Sequence, residues 1–142
     1  MRNVSKEPLF IHHVNFPTTD PERTKQWYTE VFGMKYIQPK SNTQIVLMTR
    51  GNFDLHFVPV ETMDRMAPYH FAIEVDDWDE FMAHLDDLGV RHTRTIERPE
   101  NNSKFCYVHD PDHTMIELVW HIPGGRVRPN EPAPAAAVQA TA

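Results

Sequence analysis

The sequence predicts an α+β fold in which one unit, made of a strand, a helix and three further strands, occurs twice. In both copies a histidine on an apolar-alternating strand is followed seven residues later by an aspartate that begins a helix-like stretch. A glycine ends each helix, and a later strand of each copy carries a side chain that can bind metal. The corresponding residues are His13, Asp20, Gly33 and His56 in the first copy and His70, Asp77, Gly89 and Glu117 in the second.

The first copy begins with residues 9–16, which alternate as a strand does. Asp20 is a typical helix N-cap, and Pro21 suits the first helical position because its missing N–H would have no partner there. Gly33 permits the left-handed conformation with which many helices end. The three strands that complete this copy are predicted at 34–38, 44–49 and 53–60.

The second copy repeats this order from His70. Residues 70–75 alternate as a strand, and Asp77 with Glu80 three residues later forms a capping box. The predicted helix ends at Gly89, and its apolar face consists of Phe81, Leu85 and Leu88. Strands are predicted near 91–96, 104–109 and 115–121.

Length and composition fit one domain. A chain of 142 residues with 40% hydrophobic residues can bury one ordinary core. The predicted domain covers residues 9–121, with module 1 at about 9–60 and module 2 at about 68–121. Residues 1–8 are predicted to be a polar leader. Residues 122–142 are rich in Pro and Ala without an apolar period, which predicts an extended or disordered tail.

Charge and hydropathy narrow the classes of partner. The net charge is −6 and no run of Lys or Arg is present, so a nucleic acid is not an expected partner. The longest aliphatic run, residues 45–48, is far too short to span a membrane, and the first residues lack the apolar centre of a signal peptide. A single cysteine fits a reducing compartment. We therefore expect a cytoplasmic protein that acts on a small molecule.

Strand alternation predicts that the metal-binding side chains share one face. If Phe16, Ile73 and Leu118 face the helices, then His13, His70 and Glu117 point to the opposite side of their sheets. The same argument, applied to Leu55 and Phe57, places His56 on that side. The remaining polar side chains expected to line a substrate there are Asn15, Glu74 and His121.

Two imidazoles and a carboxylate suit Zn, Fe, Ni, Co or Mn. Non-haem Fe(II) oxygenases use this donor set with open positions, at which a substrate can chelate the metal. The alternative is that these are ordinary strand residues, because a single strand histidine more often forms hydrogen bonds than binds metal. The matching positions in two copies favour the metal site.

The segments "HHVNFPTTDPERTKQWYTEVFGM", "HFAIEVDDWDEFMAHLDDLGV" and "DPDHTMIELV" resemble the vicinal oxygen chelate superfamily. This superfamily includes glyoxalase I, methylmalonyl-CoA epimerase, fosfomycin-resistance thioltransferases, bleomycin-binding proteins and extradiol dioxygenases. The resemblance covers residues 9–121. It implies two tandem βαβββ modules whose mixed sheets form a cup around a metal site, and a homodimer, but the reaction differs among members.

The resemblance implies that His13, His70 and Glu117 bind the metal. His56 corresponds to the acid/base histidine that lies next to bound oxygen in extradiol dioxygenases, or to a fourth metal ligand, as in glyoxalase I. Tyr107 matches the dioxygenase tyrosine that contacts the substrate. We therefore expect ring cleavage with Fe(II) as the favoured metal, while Ni(II), Co(II), Zn(II) and Mn(II) remain alternatives.

Two positions depart from the dioxygenase pattern. A further histidine is expected seven to nine residues before Tyr107, where this chain has Arg98, Pro99 and Glu100. His113 replaces the turn glycine of "DPDG", and a positive φ there would strain it. The first departure weakens the assignment of ring cleavage.

Two other functions remain open. A lyase, isomerase or epimerase of the glyoxalase I type would use Glu117 or Glu74 as the base that moves a proton. A metal-free antibiotic-binding protein would not need the ligand set.

Among the other histidines, His12 is expected to point away from His13 into a packed position, and His84 to lie on the exposed side of the second helix.

Overall fold

The chain forms two four-stranded mixed sheets, each with one helix. The structure is a computed structural model and describes residues 8, 10–41, 44–64 and 68–123. The first module contains β1 (His13–Thr18), α1 (Pro21–Phe32), β2 (Lys35–Ile37), β3 (Val46–Thr49) and β4 (Asp54–Pro59). The second module contains β5 (His70–Glu74), α2 (Trp78–Leu88), β6 (Ile96–Arg98), a 3₁₀ turn (Pro99–Asn101), β7 (Ser103–His109) and β8 (Met115–His121).

Both sheets have the same topology. The strand orders are β1-β4-β3-β2 and β5-β8-β7-β6. The pairs β1–β4 and β5–β8 are parallel, and the other pairs are antiparallel. This arrangement confirms the predicted α+β fold of two tandem βαβββ modules.

Local chemistry sets the ends of both helices as predicted. The carboxylate of Asp20 accepts a hydrogen bond from the backbone N–H of Arg23 at 3.1 Å, and that of Asp77 accepts one from Glu80 at 3.0 Å. Gly33 has φ 63°. Gly89 has φ 69°. Each helix therefore starts at an N-cap carboxylate and ends where the backbone turns left-handed.

Several strand boundaries differ from the prediction. The first strand starts at His13 instead of residue 9 and extends to Thr18, because its later residues pair with β4. The strand expected near 91–96 is only β6, at 96–98. Thr93 instead contacts β7 through two hydrogen bonds with Tyr107. Its backbone N–H donates to the carbonyl oxygen of Tyr107, and its hydroxyl oxygen accepts from the backbone N–H of Tyr107. Most of the predicted leader and nearly all of the predicted tail lie outside the described residues.

One apolar core joins both modules. Its fully buried members include Tyr28, Phe57, Leu85, Ile116 and Leu118. Ring contacts cross between the modules, with centroids 5.1 Å apart for Phe16 and Phe71 and 6.0 Å apart for Phe32 and Phe81. The helix-covered sides of both modules therefore contribute to one shared core, which leaves the opposite faces of the sheets for a site.

The turn between β7 and β8 is attached to module 1 by buried and partly buried polar contacts. Tyr28 donates a hydrogen bond from its hydroxyl to Asp110 at 2.9 Å. Arg23 pairs with Asp112 at 3.0 Å, and Thr19 donates to the same carboxylate from its backbone and hydroxyl groups. This turn leads directly into β8, which carries Glu117.

Within the described residues, no helix is long and apolar enough to cross a membrane.

Candidate functional site

Strand register places His56 and Glu117 at corresponding positions of the two modules. His56 lies opposite Asn15, two residues after His13. Glu117 lies opposite Ala72, two residues after His70. Since neighbouring residues of β4 and β8 are buried against the helices, both side chains lie on the sheet face that the helix does not cover.

In module 1 the imidazoles of His13 and His56 stack on each other. Their centroids are 3.9 Å apart and their planes differ by 17°. The lone pair of an imidazole nitrogen lies in the plane of its ring. The lone pairs of two stacked, nearly parallel rings therefore do not point at one metal ion. This stacked arrangement suits one metal ligand with a neighbouring proton-transfer group better than two ligands of one metal.

His56 has a lowered pKa. Burial is the largest cause, the neighbouring His13 and the more distant His12 add to it, and Asp54 opposes it. The imidazole is therefore neutral near pH 7 and able to accept a proton.

His12 differs from its expected position. Its side chain is 68% exposed. Its Nδ1 lies 3.0 Å from Nδ1 of His13. His12 precedes the first residue of β1, so strand alternation does not direct its side chain to the opposite face. The expectation of a packed residue that points away from His13 was wrong.

In module 2, His70 and Glu117 form the second pair. Nδ1 of His70 lies 2.9 Å from the carbonyl oxygen of Pro68, which can only accept, so Nδ1 carries the hydrogen and the neutral ring keeps a lone pair on Nε2. That Nε2 lies 3.4 Å from Oε2 of Glu117. Two ligands of a tetrahedral metal, each about 2.1 Å from it, would be separated by about this distance. The spacing of this pair fits a shared metal ion.

Tyr107 and Arg98 lie beside this pair. The ring of Tyr107 contacts that of His70 edge-on, with centroids 5.4 Å apart. Arg98 donates a hydrogen bond from Nη2 to Oε1 of Glu117 at 3.3 Å. Its guanidinium carbon lies 3.8 Å from the centroid of the Phe105 ring. Sequence reasoning missed the contact of Arg98 with Glu117, although this arginine already stood at the position where the dioxygenase pattern expects a histidine.

The other expected lining residues are on the same faces. Asn15 is exposed on β1, next to His56 in the sheet. Glu74 and His121 contact each other, with Oε2 and Nδ1 3.1 Å apart, and both side chains are largely buried. Their position on β5 and β8 is consistent with the predicted side of the sheet.

The structure leaves the four candidate ligands in two pairs. Within the described residues, no three His, Cys, Asp or Glu side chains form a group that could hold a metal ion. The types of donor fit a divalent metal, and the spacing of His70 and Glu117 fits one, but the expected convergence of His13 with that pair does not occur within this part of one chain. The strands that carry the two first histidines, β1 and β5, are both edge strands.

His84 also differs from expectation. Instead of lying on the exposed side of α2, its Nε2 lies 3.0 Å from the carbonyl oxygens of Glu30 and Val31. These carbonyls end α1, which has no basic residue in its last turn. His84 therefore satisfies acceptors at a helix end in the other module.

A sequence profile of the Glyoxalase/Bleomycin resistance protein/Dioxygenase superfamily matches residues 10–118 of this chain. The chain belongs to this superfamily. Membership agrees with the two βαβββ modules and their matching histidine positions.

Among curated relatives, the uncharacterized protein YaeR of Escherichia coli (strain K12) is 25% identical over 120 residues, which cover 76% of this chain and 93% of that protein. The trivalent organoarsenical cleaving enzyme of Bacillus sp. (strain MD1) is 26% identical over 117 residues, covering 76% of this chain and 71% of that enzyme. The superfamily therefore includes at least one enzyme at this level of similarity.

Solved structures show the same fold. A glyoxalase family protein from Bacillus anthracis is 26% identical, with a TM-score of 0.68 over 86% of this chain and 100% of that one. The lactoylglutathione lyase from Agrobacterium tumefaciens is 23% identical, with a TM-score of 0.65 over 81% and 96%. The fosfomycin resistance protein FosX from Listeria monocytogenes is 16% identical, with a TM-score of 0.71 over 85% and 98%. Superfamily members thus include both a lyase and resistance proteins on one scaffold.

Proposed function

We propose that this protein is a divalent-metal-dependent enzyme that acts on a small substrate with two adjacent metal-binding oxygens, and that its reaction is an extradiol-type ring cleavage with Fe(II). The observation that carries the proposal is the correspondence of the two pairs. Each module presents a histidine on its edge strand and a second polar group on the neighbouring strand, in the same register. Two imidazoles with one carboxylate are the donors that non-haem Fe(II) oxygenases use.

The two pairs meet when module 1 of one copy lies beside module 2 of another, in a homodimer. Three observations support this arrangement. Both β1 and β5 are edge strands, and unpaired edges favour association with another chain. Large apolar side chains next to these edges are exposed, with Ile11 82% and Tyr69 76% accessible. One chain alone leaves His13 apart from His70 and Glu117.

The roles of the side chains follow from their positions. When bound, a divalent metal acts as a Lewis acid and holds the two substrate oxygens in place. His56 is neutral, and its lone pair does not converge with that of His13 on one metal ion. It accepts and returns the proton of the substrate hydroxyl. Tyr107 orients the substrate through a hydrogen bond, since its ring lies beside His70. The apolar core behind both sheets keeps these groups fixed.

A mixing experiment tests the shared site. His13→Ala and Glu117→Ala chains should each bind no metal, but a mixed dimer contains one intact site formed by the unchanged module of each chain. Refolding the two variants together should restore metal in roughly a quarter of the sites, if the copies pair at random. Metal content is measured by mass spectrometry, and His109→Ala serves as a control that removes an exposed histidine. Full metal binding by either variant alone would refute the proposed ligands; no recovery in the mixture would refute the shared site.

A second experiment tests the reaction. The protein is loaded anaerobically with Fe(II), Ni(II) or Zn(II), and oxygen uptake with catechols is measured beside hemithioacetal consumption. Catechol-dependent oxygen uptake by the Fe(II)-loaded protein, but not by the Ni(II)- or Zn(II)-loaded protein, supports ring cleavage. His56→Phe should keep its metal and lose turnover by roughly 100- to 10,000-fold. Tight binding of a drug without metal would instead support an antibiotic-binding protein.

One observation favours the glyoxalase-type reaction as the second candidate. His56 corresponds in register to Glu117, so rotation of its ring would make it a fourth ligand. The base would then be Glu117 or Glu74, although Glu74 already contacts His121. Loss of metal in His56→Phe, together with hemithioacetal consumption in the unchanged protein, would establish this candidate over ring cleavage.

A further inference from the structure

We propose that Arg98 binds an anionic group of the substrate, and that loading of the metal site frees its guanidinium for this purpose. This inference rests on the proposed metal ligand Glu117. It selects a substrate class, namely a compound with an oxyanion, such as a carboxylate, close to its two metal-binding oxygens.

The position of Arg98 is defined by the second sheet. It is the last residue of β6 and pairs with Ser103, the first residue of β7. In the same register Phe105 and Tyr107 follow Ser103 on one face of β7, and Tyr107 lies opposite Glu117 of β8. The guanidinium therefore lies on the same sheet face as the proposed ligand.

The guanidinium has donors left over. Its contact with Glu117 is a single hydrogen bond of 3.3 Å, longer than the usual distance for a charged pair. A guanidinium has five N–H donors, and the side chain of Arg98 is 36% exposed. The ring of Phe105 supports one face of the group at 3.8 Å, which limits its movement away from the site.

Metal binding changes the balance at Glu117. In the structure the side chain of Glu117 is 12% exposed, and its carboxylate lies between His70 and Arg98. The positive charge of Arg98 partly compensates the negative charge of the carboxylate. A divalent cation that takes this carboxylate as a ligand neutralises its charge and competes for its lone pairs, so the attraction to Arg98 weakens. The guanidinium is then a permanent cation beside the substrate position, and an oxyanion is the partner that satisfies it.

Arg98 keeps its positive charge at any physiological pH. Its position therefore favours substrates with a negative charge beside Glu117.

The test compares two probes on protein loaded with Zn(II), which has no redox chemistry. Catechol has only the two chelating oxygens, and 3,4-dihydroxybenzoate adds a carboxylate. Titration calorimetry should show that the unchanged protein binds the carboxylated probe about 10- to 100-fold more tightly, as expected for one charged hydrogen-bonded pair. Arg98→Gln should lose this preference while it binds catechol within about twofold of the unchanged protein. Glu97→Gln, on the exposed neighbouring residue, should keep the preference.

A second measurement does not need a substrate. Because Arg98 competes with the metal for Glu117, Arg98→Gln should bind Zn(II) several-fold more tightly than the unchanged protein. The role of Arg98 would be overturned if this variant bound Zn(II) more weakly than the unchanged protein. It would also be overturned if the unchanged protein failed to bind the carboxylated probe, or bound both probes with equal affinity. Protein that takes up no Zn(II) would refute the proposed function itself, and the inference with it.

Discussion

Tyr28 of α1 donates the hydrogen bond of its buried hydroxyl to Asp110, which lies 82 residues later in the turn between β7 and β8. The tyrosine ring belongs to the apolar core of module 1, where it contacts Phe57, and is completely inaccessible to solvent. The same carboxylate accepts backbone hydrogen bonds from Asp112 and Thr114 at 2.9 Å each. One side chain of the first helix thus completes a turn of the second module.

Tyr28→Phe should therefore destabilise the protein although it keeps the ring. The substitution leaves an oxygen of the buried Asp110 without its hydroxyl donor, which we expect to lower the free energy of unfolding by about 1–3 kcal/mol. Urea denaturation measures the change. Tyr36→Phe is the matched control, because its hydroxyl contacts Gln38 in an exposed position. An equal loss in both variants would mean that the inter-module hydrogen bond contributes nothing specific.

The titration of Asp110 should give the stability a pH dependence. Burial raises the pKa of Asp110 above its ordinary value of 3.8, although its hydrogen bonds oppose the shift. An acid whose pKa is higher in the folded state holds its proton longer there, so the folded state gains protons relative to the unfolded chain. The free energy of unfolding should consequently be highest below pH 3.8 as far as this group is concerned, and fall as the pH rises through the raised value.

Asp110→Asn isolates that contribution. Asparagine can still accept from the backbone of Asp112 and Thr114, but it does not titrate. The stability of the unchanged protein relative to Asp110→Asn should decline as the pH is raised from about 3 to about 7. Denaturation at a series of pH values tests this, with Asp64→Asn as an exposed control. A relative stability that rises with pH would contradict the stated direction of the shift.

His113 has φ 65°, in the left-handed region that was anticipated for the position of the missing turn glycine. A side chain there costs conformational energy that glycine does not pay. His113→Gly should stabilise the protein by up to about 1 kcal/mol, partly offset by the greater freedom of the unfolded chain. The midpoint of thermal unfolding would rise. For comparison, Gly89→Ala should have the opposite effect, because the added methyl group meets no atom within 4 Å but φ remains positive.

Cys106 should be unreactive in the folded protein. It is fully buried, and burial raises the pKa of its thiol to about 11. Only the thiolate attacks disulfide reagents, so at pH 8 both access and ionisation are unfavourable. A chromogenic disulfide reagent should detect no thiol in the native state and one thiol per chain in denaturant, since the chain contains a single cysteine. Rapid labelling of the native protein would show that β7 opens readily.

Features determined by neighbours in sequence were predictable. Asp20 and Asp77 cap helices through contacts three residues away, and the glycines after each helix provide the positive φ that ends it. Alternation along a strand also predicted that the outward side chains of β4 and β8 share the uncovered faces. These are local constraints, and tertiary packing did not override them.

Features determined by distant residues were not predictable in the same way. His84 was expected in solvent but contacts the end of α1, and nothing in the sequence near it encodes that helix packing. The contact between Arg98 and Glu117 depends on the register of three strands. The separation of His13 from His70 depends on the relative placement of two sheets. For the site, the sequence therefore predicted which residues share a face but not which of them meet.

The polar contacts of the β7–β8 turn link module 1 to the position of Glu117 in module 2. Asp110 and Asp112 are tied to α1 and to Arg23 of module 1, and the peptide continues from them into the strand that bears Glu117. Module 1 thus helps to hold in position the strand that carries Glu117, which we propose as a metal ligand. An amino-acid change on α1 can therefore shift Glu117 through these contacts without touching it.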